Sequence, residues 1–155
     1  VSSFSYKQTV PSDWVDYNGH MNDAEYNRAF SLATDAFIDY IGLDEKGREQ
    51  FQYTVFTLET HTCYLKEMHE GAGFDMSARV LDFDAKRIHL FLEMHNAEGE
   101  VVATIEEMLM GINQNEGRPA PLPEEVAANV KAAFDSTSDR EQPKQVGRTI
   151  GIRRK

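Results

Sequence analysis

The stretch Asp16-Tyr17-Asn18-Gly19-His20-Met21-Asn22-Asp23 sets polar side chains at alternate positions immediately before a strong helix start. Asn22 is a good N-cap, Glu25 stands in capping-box position, and apolar Tyr26, Phe30, Ala33, Phe37 and Ile41 follow at near-helical spacing. This predicts a helix from about Asn22 to Ile41, with Gly42 as its stop. Buried along that stripe, the helix aims its free amides and the positive end of its dipole at the Asp16 to His20 segment. Amides so placed can hold a developing oxyanion, so the segment has the makings of an acyl-transfer site.

Outward from the helix the pattern changes to strand. A short strand is expected around Phe4 to Val10, ahead of Pro11. Between about Tyr53 and Met68 the chain is rich in Thr, Val, Phe and Tyr and lacks a helical period. Phe74, Met76, Ala78 and Val80 alternate, as do Ile88, Leu90, Leu92 and Met94, with Asp82-Phe83-Asp84-Ala85 as the turn between them. Asn96-Ala97-Glu98-Gly99 is a second hairpin signal, leading into a strand from about Val101 to Ile112. Pro121 and Pro123 open a short amphipathic helix with Val126, Val130 and Phe134 on one face. The order predicts an α+β fold, an antiparallel meander with the first helix packed on one sheet face.

With 155 residues and 41% apolar content the chain suits one domain, expected over residues 1–135, followed by an irregular tail over 136–155. No apolar run approaches the roughly 20 residues of a membrane span, and Val1-Ser2-Ser3-Phe4 has no targeting pattern, so a soluble cytoplasmic protein is expected. The lone Cys63 forms no internal disulfide. A net charge of -10 argues against a duplex nucleic-acid binder, although a local basic patch can still hold an anionic ligand. Arg148, Arg153, Arg154 and Lys155 form either a phosphate-contacting tail or a solvated end, the second being the plainer alternative.

The predicted element order, joined to Asp-x-Asn-x-His-x-Asn at the helix mouth, resembles the hotdog-fold acyl-CoA thioesterases of the 4-hydroxybenzoyl-CoA thioesterase superfamily. The resemblance spans about residues 4 to 113. A closer likeness, to the betainyl-CoA thioesterases associated with carnitine dehydrogenase, is carried by Trp14 through Tyr26, Glu59-Thr60-His61, Tyr64-Leu65-Lys66-Glu67 and Gly147-Arg148-Thr149-Ile150-Gly151. It implies a sheet wrapped around a long central helix, hydrolysis of betainyl-CoA to glycine betaine and coenzyme A in carnitine breakdown, and no cofactor. It also implies a homodimer or tetramer with sites between chains, and association with carnitine dehydrogenase. Other implied readings are hydrolysis of another short or aromatic acyl-CoA and non-catalytic acyl-CoA binding.

On this resemblance Asp16 is the nucleophile or general base; Asn18 and His20 extend the match toward plant acyl-carrier-protein thioesterases, which implies that Asn18 orients the carboxylate or water and His20 assists proton transfer, and a looser match to the same enzymes covers Glu67. Asp16 as a turn-forming cap and His20 as a structural donor are the plainer alternatives. Glu67 is a possible second carboxylate, against an ordinary surface Glu. The backbone amides of Asn22, Asp23 and Ala24 are the oxyanion candidates. Trp14 and Tyr17 are candidate aromatic faces for a trimethylammonium group, unless either is core. Lys66, Lys86 and Arg87 are candidates for coenzyme A phosphates, against ordinary surface charge. His61, Cys63, His69, His89 and His95 show no spacing that predicts a converging metal site. Cys63 is read as a small buried side chain rather than a nucleophile.

Overall fold

Tyr26, Ala29, Phe30, Ala33 and Phe37 are buried along one side of helix α1, Asp23–Ile38, in the computed structural model of the chain. The structure describes residues 3–154; Val1, Ser2 and Lys155 lie outside it. Past Ile38 the helix widens into a π-turn, Asp39–Leu43, and its helical backbone ends at Gly42, at φ 109°, the stop that the sequence suggests. Only glycine takes that angle without strain, and the turn swings Ile41 and Leu43 fully into the core. Asn129 Nδ2 donates to the freed Ile41 carbonyl at 2.9 Å. A short helix α2, Glu45–Phe51, follows, capped by the Asp44 carboxylate accepting from Gly47 N at 2.8 Å. Two turns without a long apolar stripe leave little periodic signal for it.

The strands are β1 (Tyr6–Thr9), β2 (Tyr53–Tyr64), β3 (Gly73–Phe83), β4 (Arg87–Asn96), β5 (Val101–Asn113) and the two-residue β6 (Arg118–Pro119). Their order is β1-β3-β4-β5-β2, with β6 on β5, and every pairing is antiparallel. Met76, Val80, Ile88, Leu90, Leu92, Met94, Ile105 and Leu109 join Phe30 and Phe37 in one buried cluster, because alternate strand residues share the face turned to α1. This is the α+β hotdog arrangement, a curled sheet around a long helix. Two boundaries differ from expectation. Strand β2 ends at Tyr64 rather than Met68, and the β3–β4 turn falls at 84–86, because the Asp84 carboxylate accepts from Lys86 N and Arg87 N at 3.0 and 2.7 Å.

Helix α3, Glu124–Thr137, lays Val126 and Val130 into the core and sets Phe134 edge-on to Phe83, ring centroids 5.5 Å apart. The following segment crosses the outer sheet face. Arg79 donates to the carbonyls of Arg140 and Glu141 at 2.8 and 2.9 Å, and Gly147 N donates to Glu106 Oε1 at 2.8 Å. Of the expected basic tail, Arg148 lines a concavity with Glu59 and Glu106. Among the described residues no helix is long and apolar enough to cross a membrane.

One acid lies between helix and sheet. Glu107 is buried, and its carboxylate accepts from Thr34 Oγ1 at 2.8 Å. Burial pushes its pKa up to about 7, with the nearby Asp35 charge adding and the Thr34 bond opposing. The folded value exceeds the unfolded one, so this group's contribution is fully present below about pH 4.5 and is lost as pH rises through about 7. Between those limits the loss is about 3 kcal/mol. Urea denaturation across that range should show wild type losing this amount relative to Glu107→Gln, which keeps the acceptor and cannot ionise; parallel pH profiles would contradict the assignment.

Candidate functional site

The residues before α1 fold as a tight hairpin. Val15 and Met21 form an antiparallel bridge, Asp16 N donates to His20 O, and Gly19 N donates to Asp16 O, both at 2.9 Å. Gly19, at φ 79°, closes the turn. Asp16 Oδ1 accepts from the amides of Asn18 and His20 at 2.9 and 3.1 Å. Its other oxygen has no partner among the described residues, and the side chain is exposed. The turn-capping and chemical readings of Asp16 are therefore compatible: one oxygen fixes the carboxylate and the other is free of protein partners among the described residues. Asn18 is exposed at the turn, and Tyr17 is 97% exposed.

The second limb of the hairpin docks on the connection between β2 and β3. Met21 N donates to Met68 O at 2.8 Å, Glu70 N donates to Gly19 O at 3.3 Å, and His20 and His69 pair as an antiparallel bridge. This brings His20 Nε2 within 3.4 Å of Glu67 Oε2 and sets the two imidazoles edge-on at 4.9 Å. Glu67, placed by a loose match in sequence, thus meets His20 in space. Of the residues whose spacing predicts no metal site, His61, Cys63, His89 and His95 join no such cluster among the described residues; His69 meets two partners from outside that set, and His20, Glu67 and His69 present ligand atoms all within 4.8 Å of one another. Chain distances of some 50 residues hid this, since only the fold closes them.

At the helix mouth Asn22 Oδ1 accepts from Ala24 N at 3.0 Å, as a cap should. The capping box is only half formed, because Asn22 N donates to Trp14 O at 2.9 Å and Glu25 pairs instead with Arg28, 3.0 Å away. Ala24 N is filled by the side chains of Asn22 and Asp23. That removes Asn22 and Ala24 from the oxyanion candidates and leaves the Asp23 amide, which has no partner among the described residues. The first turn is clamped to the end of β2 by Tyr64 and by two residues that the sequence did not single out, Asn27 and Thr62. Asn27 Nδ2 donates to Tyr64 Oη at 2.9 Å, Thr62 Oγ1 donates to Asn27 Oδ1 at 2.7 Å, and Tyr64 Oη donates to Asp23 O at 3.2 Å. Asn27 stands four residues past Asp23, on the same helix face, which is the one local signal for it.

Of the remaining candidates, the side chains of Trp14 and Arg87 lie away from the hairpin. Trp14 is buried in the main core cluster, so the Trp14–Tyr17 pair does not form a cage; their side chains point apart. Arg87 lies at the far end of β4 from the Asn96 end near the motif, its guanidinium held by Asp84 with Nε 2.7 Å from Oδ2. Lys66 does lie beside the helix mouth, its carbonyl accepting from Tyr26 Oη at 3.2 Å, but its ammonium pairs with Glu100. Lys86 is exposed in the β3–β4 turn beside Arg87. His61 and Cys63 are half-buried on β2, His89 Nε2 lies 2.7 Å from Glu106, and His95 lies 3.4 Å from Ser77 Oγ.

Comparison with known proteins finds that the thioesterase-like superfamily model matches residues 10–130. A betainyl-CoA thioesterase of Pseudomonas aeruginosa is 38% identical over 96% of this chain and 94% of its own. A Rhizobium meliloti protein named L-carnitine dehydrogenase/betainyl-CoA thioesterase is 35% identical over 94% of this chain, which spans only 29% of that longer protein. Among solved structures, a Staphylococcus aureus protein in complex with CoA superposes with TM-score 0.92 at 39% identity, covering 98% of this chain and 96% of that one.

Asn22→Ala should cost about 1 kcal/mol by loss of the cap, read as a lower midpoint in chemical denaturation. An unchanged midpoint would mean that the Trp14 and Tyr64 contacts alone hold the helix start.

Proposed function

The chain belongs to the thioesterase-like superfamily, and on that premise we propose that it hydrolyses betainyl-CoA to glycine betaine and coenzyme A, as a cytoplasmic step in carnitine degradation. The observation that carries this reading is the 38% identity to a betainyl-CoA thioesterase along nearly the whole of both chains. The fused relative supports a working association with carnitine dehydrogenase.

The chemistry rests on the hairpin. A thioester carbonyl seated at the mouth of α1 has its oxygen toward the open Asp23 amide and the positive end of the helix dipole. The free oxygen of Asp16 attacks the carbonyl carbon, directly or through a water that it deprotonates, while Asn18 orients the carboxylate or the water. His20 and Glu67 hold the water on the other side. The tetrahedral intermediate then expels coenzyme A as a thiolate, which needs little help from an acid; on the direct route the water held by His20 and Glu67 then cleaves the mixed anhydride on Asp16, which frees the acyl carboxylate and restores Asp16. The exposed Tyr17 ring offers a π face to the trimethylammonium group, favoured further by the net charge of -10. Lys66, whose carbonyl accepts from Tyr26 beside the helix mouth, is the residue we assign to a coenzyme A phosphate.

We read the working unit as at least a homodimer. Strand β2 is a sheet edge, and it bulges at Leu58, which with Phe56 is more than half exposed. An edge with two large apolar side chains calls for a cover, and a second copy of the same edge supplies one. Light scattering after size exclusion should give twice the 17.6 kDa chain mass; a stable monomer at micromolar concentration would overturn this.

Thiol release from betainyl, acetyl, short-chain, long-chain and aromatic thioesters of coenzyme A tests the reaction. Betainyl-CoA should be preferred, and Asp16→Asn should lower its turnover by roughly 10²- to 10⁴-fold. Tyr17→Ala should raise KM for betainyl-CoA by roughly 2- to 30-fold and leave acetyl-CoA nearly unaffected, as loss of a cation–π contact requires. Binding of thioesters without turnover of any would replace the enzyme with an acyl-CoA sensor.

A further inference from the structure

His20, Glu67 and His69 come from two segments that the sequence does not connect, and they present two imidazoles and a carboxylate to one point at the lip of the hairpin. We propose that these side chains form a binding site for a divalent transition-metal ion, zinc the best match, and that its occupation closes the hydrolytic site.

The donor set is the first argument. Two histidine nitrogens and one carboxylate oxygen suit zinc and its neighbours, whereas calcium and magnesium want oxygen donors throughout. Geometry is the second. Bonds of ~2.1 Å in a tetrahedron set ligand atoms ~3.4 Å apart. His20 Nε2 already lies 3.4 Å from Glu67 Oε2, and the whole set falls within 4.8 Å. Glu67 and His69 are exposed, so small side-chain rotations gather the three atoms around an ion without moving the core. Backbone order is the third. His20 and His69 are a bridged antiparallel pair, with amide bonds from Met21 to Met68 and from Glu70 to Gly19 on either side, so the two rings are held close before any ion arrives.

Three protein ligands leave a coordination position for water. An ion there occupies the His20 nitrogen and a Glu67 oxygen that orient water in the proposed reaction, so metal and turnover compete. This consequence rests on that reading of His20 and Glu67; the metal site does not. His69 has no part in the proposed hydrolysis and therefore separates the two.

Chelator-treated protein is titrated with zinc(II) by calorimetry and with cobalt(II) by visible absorption, for wild type and His69→Ala, and betainyl-CoA hydrolysis is followed with and without zinc. The expected result is one ion per chain, with a tetrahedral cobalt spectrum. Affinity should fall by roughly 10- to 100-fold or more in His69→Ala. Zinc should inhibit wild type, reversibly on adding chelator, while His69→Ala keeps its basal activity and resists zinc. Absence of saturable binding to wild type, or binding unchanged in His69→Ala, overturns the site. Binding that depends on His69 but leaves hydrolysis unaffected keeps the site and overturns the closure, together with the role given to His20 and Glu67.

Discussion

A helix buried lengthwise against a sheet must find partners for the amides of its first turn at a place where few side chains reach, and this constraint organises the molecule. In α1 the apolar stripe from Tyr26 to Phe37 fixes the helix in the curl of the sheet. Burying each Phe of that stripe is worth about 1.5–3 kcal/mol, so the helix axis is not free to move to suit its ends. The ends are brought to the helix instead. Asn22 caps Ala24, Trp14 accepts from Asn22 while its own side chain is anchored in the core, and Tyr64 accepts the Asn27 amide while donating to the Asp23 carbonyl. What is left over is the Asp23 amide, which has no partner among the described residues and is the donor that the proposed hydrolysis assigns to the thioester carbonyl.

The same economy of contacts governs the hairpin. Asp16 spends one oxygen on two backbone amides, which holds the carboxylate still and leaves the other oxygen exposed. Pre-organisation of this kind serves catalysis because the group is already oriented before substrate arrives. The hairpin is in turn held against the β2–β3 connection by main-chain bonds, and those bonds bring Glu67 and His69 to His20.

Polar groups elsewhere are handled in a different way. Glu106 is shared between His89 and the Gly147 amide and fastens the C-terminal segment to the outer face of the sheet. Glu107, its neighbour in sequence, points to the opposite face and is buried against α1 with Thr34. Adjacent strand residues face opposite ways, so two glutamates in a row meet entirely different surroundings, and burial of the inward one raises its pKa to about 7.

Much of this was legible in the chain itself. The period-two runs from Phe74 to Val80 and Ile88 to Met94, the Asn22 cap and the stripe behind it determine a long helix on an antiparallel sheet, because side-chain periodicity and capping are local properties. The motif Asp16 to Asn22 likewise determines where a site lies, since the hairpin and the helix start are built from neighbouring residues. Tertiary structure alone decided the rest. The widening of the last turn before the Gly42 stop lets Ile41 and Leu43 reach the core, and the separation of Trp14, Ala24 and Arg87 from the candidate site follows from burial, from capping bonds and from strand register. The meeting of His20 with Glu67 and His69 depends on which segment packs beside the hairpin, a choice made by the closing of the whole sheet around the helix and carried by no local pattern.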